Sequence, residues 1–538
     1  MRSVVIVEMR DYAKKYARLV PASAAAALIC FGFLVFSGNI RVDTEELINN
    51  PGTTVGWLTI GRFGLALLKS MLGLRTHNVI WSGLLFFVFF LAGANFLAFS
   101  IYHFSGKREE YPYWVFLMLY VTSNIWCYQI YFSLQQAEIA CAMLFVAAAA
   151  FLSVRACFET TGMGRVARLL ISGALLVIGL GSYQALAAYY ITICIALFFV
   201  LVGREDAAGW ERRILAGIWM LAAQFAVSYV VYRLIADTWF MAASGYMDDQ
   251  MGWGRLPAVE CIKNVIRTAR NYLVGNGPRN FSFYAIGVAS AVFVAWLVCR
   301  AKREGDPRWQ GPRFALLLLA LVGILACPFL MTFYMGEMLV ARSQFALPMT
   351  AAFLGMCGLG AVQAFAEKTD RPRRMWILWV YRACVVAAIA WQACFCLRLA
   401  HTDAVRTRAD EEKARLLVEE LAAANSGSLP EQPVIFVGCQ SVELDGIDRH
   451  TEMYGWSFFE WDYSEGNPTG ATHRIAGFVQ AYTGNVLSEA ATEEQREAAV
   501  ALAEEMCDFP AQGAIAVTND FVVVRLSEVR ERPETDWW

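Results

Sequence analysis

ARLLISGALLVIGLGSYQALAAYYITICIALFFVLV, residues 167–202, is the stretch that decides the fold. Its 36 residues carry a single charge, Arg168. As one helix the run would reach about 54 Å at 1.5 Å per residue, nearly twice the thickness of a bilayer's hydrocarbon core. It must therefore fold back on itself, and the turn falls at Ser182-Tyr183-Gln184.

Apolar blocks of about one bilayer thickness recur on both sides of this run. They predict spans at about 19–38, 78–104, 111–133, 137–158, 167–183, 184–202, 213–236, 280–299, 313–333, 343–366 and 375–399. The expectation is a polytopic α-helical membrane protein with about eleven transmembrane helices in residues 1–400. Charged residues make up only 17% of the chain, against roughly 25% in soluble domains. The net charge of −2 leaves no basic field for nucleic acid. The opening residues, MRSVVIVEMRDYAKKYARLV, form a basic amphipathic lead-in with no small-residue cleavage site.

From about residue 401 the chain turns polar, and residues 401–538 are expected to form a charged connector helix and a small soluble α/β domain. DAVRTRADEEKARLLVEELAAA (403–424) reads as a charged helix continuing from the last span. Residues 434–438 read as a buried strand, about 491–507 as a helix, and 514–526 as a hairpin turning at Asn519-Asp520. The aromatic cluster at 456–461 is either core or a surface for stacking carbohydrate. Most cysteines lie in apolar blocks and serve as small hydrophobes. A Cys439–Cys507 bridge is open to an extracytoplasmic domain.

Lys and Arg alternate from loop to loop. Arg10, Lys14, Lys15 and Arg18, then Lys107 and Arg108, Arg165 and Arg168, Arg204, Arg212 and Arg213, Arg300, Lys302 and Arg303, and Lys368 to Arg374 mark one side as cytoplasmic. The long loop 237–279 breaks the pattern with Lys263, Arg267 and Arg270, but long loops weigh less. The N-terminus is then inside the cell and the C-terminal domain outside.

On the outer side lies SGNIRVDTEELINNPGTTVGW (37–57), with Asp43, Glu45 and Glu46 just after the first span. These carboxylates are either simply solvated or one is a general base for an acceptor hydroxyl. WLTIGRFGLALLKSML (57–72) reads as an amphipathic helix along the interface, with Trp57, Ile60, Gly64, Leu67 and Met71 on one face and Thr59, Arg62, Ala66 and Lys69 on the other. Its basic residues either snorkel to water or, for Arg62, meet a phosphate. Tyr183 and Gln184, the turn with Gln135, Gln136 and Glu138, the pair Glu337 and Arg342, and Asp248 and Asp249 share this outer side.

The order of motifs carries a resemblance. An external D-x-E-E (Asp43, Glu45, Glu46), W-x-x-x-G-R-F (Trp57, Gly61, Arg62, Phe63), S-Y-Q (Ser182 to Gln184), then PVIFVG (433–438), GWSFFEWD (455–462) and FVVVRLS (521–527) resemble the serotype-converting glucosyltransferases that decorate bacterial O-antigen, relatives of the GT-C superfamily. The resemblance implies a GT-C-like bundle in the bacterial inner membrane. It also implies transfer of a sugar, glucose first, from a polyprenyl-phosphate donor to a hydroxyl of a surface polysaccharide, with inversion. Asp43 is then the base, with Glu45 or Glu46 in support. Arg62 and Arg342 hold the phosphate, and Tyr183 and Gln184 line the sugar or phosphate pocket. The acidic motif is D-x-E-E rather than D-x-D, so no metal is assigned. A flippase and an enzyme that charges the lipid are implied as companions.

Two other classes compete. A transporter or flippase predicts ionisable residues at the bilayer midplane and paired broken helices. A non-catalytic partner in envelope assembly predicts that Asp43 is dispensable.

Overall fold

The computed structural model describes residues 4–204, 211–240, 251–274, 284–306, 309, 311–367, 372–442 and 453–530. Asp248 and Asp249 lie outside the described residues. The chain enters through α1 (Val4–Lys15) and α2 (Leu19–Phe36). Three short helices follow: α3 (Thr44–Asn49), α4 (Gly56–Thr59) and α5 (Phe63–Met71). The bundle continues with α6 (Val79–Phe104), α7 (Tyr113–Val121), α8 (Ile125–Ile130), α9 (Gln136–Phe158), α10 (Met163–Ser182), α11 (Leu186–Val202) and α12 (Glu211–Trp239). Then come α13 (Ala258–Val274), α14 (Tyr284–Arg303), α15 (Pro312–Ala326), α16 (Leu330–Met335), α17 (Ala346–Glu367) and α18 (Pro372–Ala424).

Nine helices among the described residues are long and apolar enough to cross a membrane. Their outward faces expose Trp219, Leu234, Leu319, Val322, Trp376 and Trp379. A belt of large apolar side chains on that scale is stable only against lipid, where helices satisfy their own backbone hydrogen bonds. The fold is thus that of a multi-pass helical membrane protein.

Two sequence expectations need correction, and one pairing left open is answered. The count of eleven spans becomes nine plus α11, which at 17 residues is shorter than the others but returns from α10 across the same bundle. The block 111–133 is not one helix. It breaks at Thr122-Ser123-Asn124 into α7 and α8, and at the break the Thr122 hydroxyl donates to the Gln392 side chain at 2.7 Å. No Cys439–Cys507 disulfide is formed.

At its centre α9 packs against α6, α10 and α11 through small residues. Gly179 of α10 leaves no room for a Cβ, which would lie 2.4 Å from Val146 of α9. Close helix approach through small residues is how bundles gain dispersion contacts when lipid is as apolar as leucine.

The final helix, α18, has 53 residues and is continuous through position 400. At about 80 Å it outreaches any bilayer, so its polar second half stands clear of the membrane. That half carries a soluble unit. A three-stranded sheet is ordered β1 (Val434–Val437), β3 (Val522–Arg525), β2 (Ile515–Val517). β1 runs parallel to β3 with Val434 opposite Val522, and the hairpin β2–β3 is antiparallel. α19 (Thr472–Thr483) and α20 (Glu493–Ala503) cover the sheet. The 456–461 aromatics are mostly core: Trp456, Phe458 and Phe459 are buried. This unit shares the bundle's core, since Tyr454 donates to the Cys127 carbonyl at 2.8 Å and its ring lies 4.9 Å from that of Tyr131.

Candidate active site

The acidic loop is fixed from below by buried charges. Arg41 donates to Asp403 through Nε at 3.0 Å and Nη2 at 2.8 Å, and to the Leu34 carbonyl at 2.8 Å. Asp403 also receives Asn39 at 2.8 Å and Arg406 at 2.8 Å. Arg406 reaches Asp410 at 3.3 Å, and Asp410 accepts from the Ser457 hydroxyl at 2.5 Å and the Phe458 amide at 3.1 Å. This network ties the loop after α2 to α18 and to the GWSFFEWD segment. Charges buried this deeply persist because every one is paired.

Two residues on, Asp43 adopts φ 68°, in the left-handed region. L-residues avoid it, Asp less than most. Asp43 stands at the N-cap of α3 yet makes no capping bond. Its carboxylate turns instead to Arg474 of α19. Arg474 Nη1 lies 3.1 Å from Asp43, 2.8 Å from Glu45 and 3.2 Å from Glu46, while its Nε lies 2.8 Å from Asp462. Burial works against the Arg474 charge, but Asp43, Glu45 and Asp462 overcome it and hold the guanidinium more basic than usual. The Asp43 side chain is 42% exposed and that of Glu45 only 2%. Burial, opposed by Arg474 and reinforced by Asp43, pushes the Glu45 carboxyl up to about 7. Its Oε2 is buried without a hydrogen-bond partner.

A second cluster forms around Tyr183, in the break between α10 and α11. The Arg62 guanidinium lies over the Tyr183 ring at 5.0 Å, and the Tyr183 hydroxyl meets that of Ser343 at 3.1 Å. Arg342, next to Ser343, lies over the Phe132 ring at 4.4 Å. Gln184 donates to the Tyr232 hydroxyl at 2.9 Å and to the Ile60 carbonyl at 3.3 Å. Neither Arg62 nor Arg342 forms an ion pair among the described residues, and Arg62 Nε is buried without a hydrogen-bond acceptor. Two guanidiniums without carboxylates make a place for an anion.

The amphipathic helix expected over 57–72 is corrected. It is broken at Gly61, whose φ of 76° suits glycine and whose missing side chain lets the Tyr232 hydroxyl approach. α5 then packs on α10 so closely that a Cβ on Gly64 would lie 2.3 Å from the Ile178 carbonyl. Its polar face is not all turned to water: Leu67 and Met71 are exposed, whereas Lys69 is 3% exposed and pairs with the buried Glu138 at 2.7 Å. Glu138 is therefore no solvated turn residue. Periodicity placed lysine outward; an inward carboxylate on α9 won instead.

Residues 132–134 join the two clusters. The Ser133 hydroxyl meets that of Thr44 at 3.2 Å, the Leu134 carbonyl accepts from Lys69 at 2.5 Å, and Phe132 lies under Arg342. Half-buried His77 reports the local field. Burial first, then the charges of Lys69 and Arg41, push it down to about 4. All seven residues singled out in the sequence thus lie at the end of the bundle that carries the C-terminal domain. They form two groups rather than one: Asp43, Glu45 and Glu46 about Arg474, and Arg62, Tyr183 and Arg342 beside Ser343, with Gln184 bracing Tyr232. Sequence reading missed Arg474, Ser343, Tyr232 and the Lys69–Glu138 pair. Lys69 and Glu138 were each marked in the sequence but not as partners, and nothing local marked Arg474.

This multi-pass bundle gathers at one end carboxylates and two arginines without carboxylate partners among the described residues, and has the makings of a membrane-embedded transferase. The chain belongs to the family described as Glucosyl transferase GtrII, whose model matches residues 32–359. It is accordingly a membrane glycosyltransferase. The match takes in the acidic loop and the group about Tyr183 but stops well short of Asp462 and Arg474. No curated protein matches the chain. Among solved structures it is similar to that titled crystal structure of ArnT from Cupriavidus metallidurans bound to undecaprenyl phosphate, at 13% identity and a TM-score of 0.36 over 81% of this chain and 84% of that one.

Proposed function

We propose that the protein moves glucose from a polyprenyl-phosphate donor to a hydroxyl of a cell-surface polysaccharide, on the outer face of the bacterial inner membrane. The N-terminus is then cytoplasmic and the domain of residues 401–538 extracytoplasmic. The reading is carried by one observation: two arginines without described carboxylate partners stand at the same end of the bundle as a carboxylate cluster, joined to it through residues 132–134.

The chemistry follows from these groups. Arg62 and Arg342 stabilise the phosphate as charge develops on it. The acceptor oxygen attacks the anomeric carbon, the bond from that carbon to the phosphate oxygen breaks, and polyprenyl phosphate leaves. The acceptor's proton goes to Asp43, the more open of the Asp43–Glu45 pair. Tyr183 and Gln184 shape the pocket, and no metal is required by this scheme. A single in-line displacement inverts the anomeric centre, and product NMR showing retention rejects that step.

The test is transfer in membranes from undecaprenyl-phosphate glucose to the isolated polysaccharide. Asp43→Asn is expected to abolish transfer while the protein inserts normally. Arg62→Ala and Arg342→Ala are expected to weaken use of the donor about tenfold or more. Wild-type transfer by Asp43→Asn rejects the base assignment.

A further inference from the structure

Three carboxylates within four residues cannot all stay ionised and close together without a cation between them. The cation here comes from the other end of the sequence. α19 turns consecutive features toward the acidic loop. His473 Nε2 stands 3.6 Å from Glu46, Arg474 Nη1 touches Asp43, Glu45 and Glu46 at 3.2 Å or less, and the Gly477 carbonyl accepts from Asn49 at 2.8 Å. A Cβ on Gly477 would lie 3.3 Å from Glu45, so the absence of a side chain there lets α3 and α19 approach. Asp462 grips Arg474 from the opposite side at 2.8 Å, and His473 is in turn held by Glu489 at 2.8 Å. The charged groups facing Arg474 are therefore Asp43, Glu45 and Glu46 from the loop and α3, and Asp462 from the turn before α19, with His473 and Glu489 alongside.

We propose that Arg474 is a positioning residue for sugar transfer: it gathers the three carboxylates around one guanidinium and keeps the proton-accepting carboxylate ionised when the acceptor arrives. This rests on the reading of the acidic loop as the base. The C-terminal domain then completes the active site rather than decorating it. A guanidinium suits this task because its fork presents several donors in one plane, which an ammonium does not. Glu45, buried and with one oxygen unpartnered, stays protonated part of the time near neutrality and leaves the more open Asp43 to react.

The experiment is the pH profile of kcat/KM for full-chain protein in membranes, with undecaprenyl-phosphate glucose as donor. In Arg474→Gln the lost cation raises the carboxylate pKa. The acid limb is expected to move about one unit or more to higher pH, so that activity is lost about tenfold on that limb and recovers on the alkaline side. Arg474→Lys is expected to restore most of the limb. Asp462→Asn, which removes a competing anion at a half-exposed site, is expected to move it to lower pH. A uniform loss at every pH in Arg474→Gln, or no loss, overturns the proposal. If Arg474→Gln fails to fold, an unmoved limb in Asp462→Asn overturns it equally. Asp43→Asn is run alongside. If it is inactive while the limb stays fixed in the Arg474 variant, the positioning role alone falls; if it transfers normally, the base reading falls.

Discussion

Glu45 is ordered against its own charge. Its carboxyl titrates near 7 in the fold, pushed up first by burial, and near 4.5 when unfolded. The folded state therefore binds the proton more tightly. Stability from this group is fully present below about pH 4.5 and is lost as pH rises through about 7. Glu45→Gln removes the titration, so it is expected to stabilise the protein at pH 8 by on the order of 2–3 kcal/mol, with the difference vanishing below about pH 5. Melting temperature in detergent across pH 4.5–8.5 measures it. A constant offset at every pH shows that the carboxyl does not titrate in that window.

Among the elements, α5 shows how tertiary context overrides a helical pattern. The sequence 63–71 has a reasonable apolar stripe, yet the helix is rolled so that Lys69 faces α9. Lys69 is held by Glu138 at 2.7 Å and by the Leu134 carbonyl, and the Trp57 ring lies 5.3 Å from its ammonium. The roll places Arg62 over Tyr183 rather than in water. Lys69→Met leaves Glu138 as an unpaired buried charge and is expected to cost about 3–5 kcal/mol. Lys69→Met with Glu138→Leu is expected to regain most of that, since an apolar pair of similar volume often replaces a buried ion pair without loss. Thermal unfolding of the three proteins decides it. A single variant as stable as the parent shows that the pair contributes nothing.

At the scale of the whole molecule, α18 is the beam that connects membrane and soluble units. Its residues Asp403, Arg406 and Asp410 are fully buried against Arg41 and the Ser457–Phe458 turn, so the acidic loop, the last span and the C-terminal domain move together. Asp403→Ala leaves Arg41 without its carboxylate and Arg406 with only one. It is expected to destabilise by about 3–5 kcal/mol and to expose the loop of residues 37–57 to protease in sealed vesicles. A protease pattern identical to that of the parent shows that the loop is held by other contacts.

The sequence by itself determined the bundle. Apolar length, the absence of internal charge and the polar break at 182–184 are local properties, and a bilayer reads them locally. The hairpin at 514–526 and the strand at 434–437 were legible for the same reason, through turn chemistry and β-branched runs. Asp43, Glu45, Glu46, Arg62, Tyr183, Gln184 and Arg342 could be assigned to one side because loop charge alternates. What only the tertiary structure decided is who partners whom. Arg474 meets Asp43 across more than four hundred residues of sequence, and Asp403 meets Arg41 across more than three hundred and fifty. Lys69 turns inward for a carboxylate on another helix, and Thr122, at the break between α7 and α8, meets Gln392. A buried charge takes its conformation from its partner, and no pattern along the chain carries that partner's address.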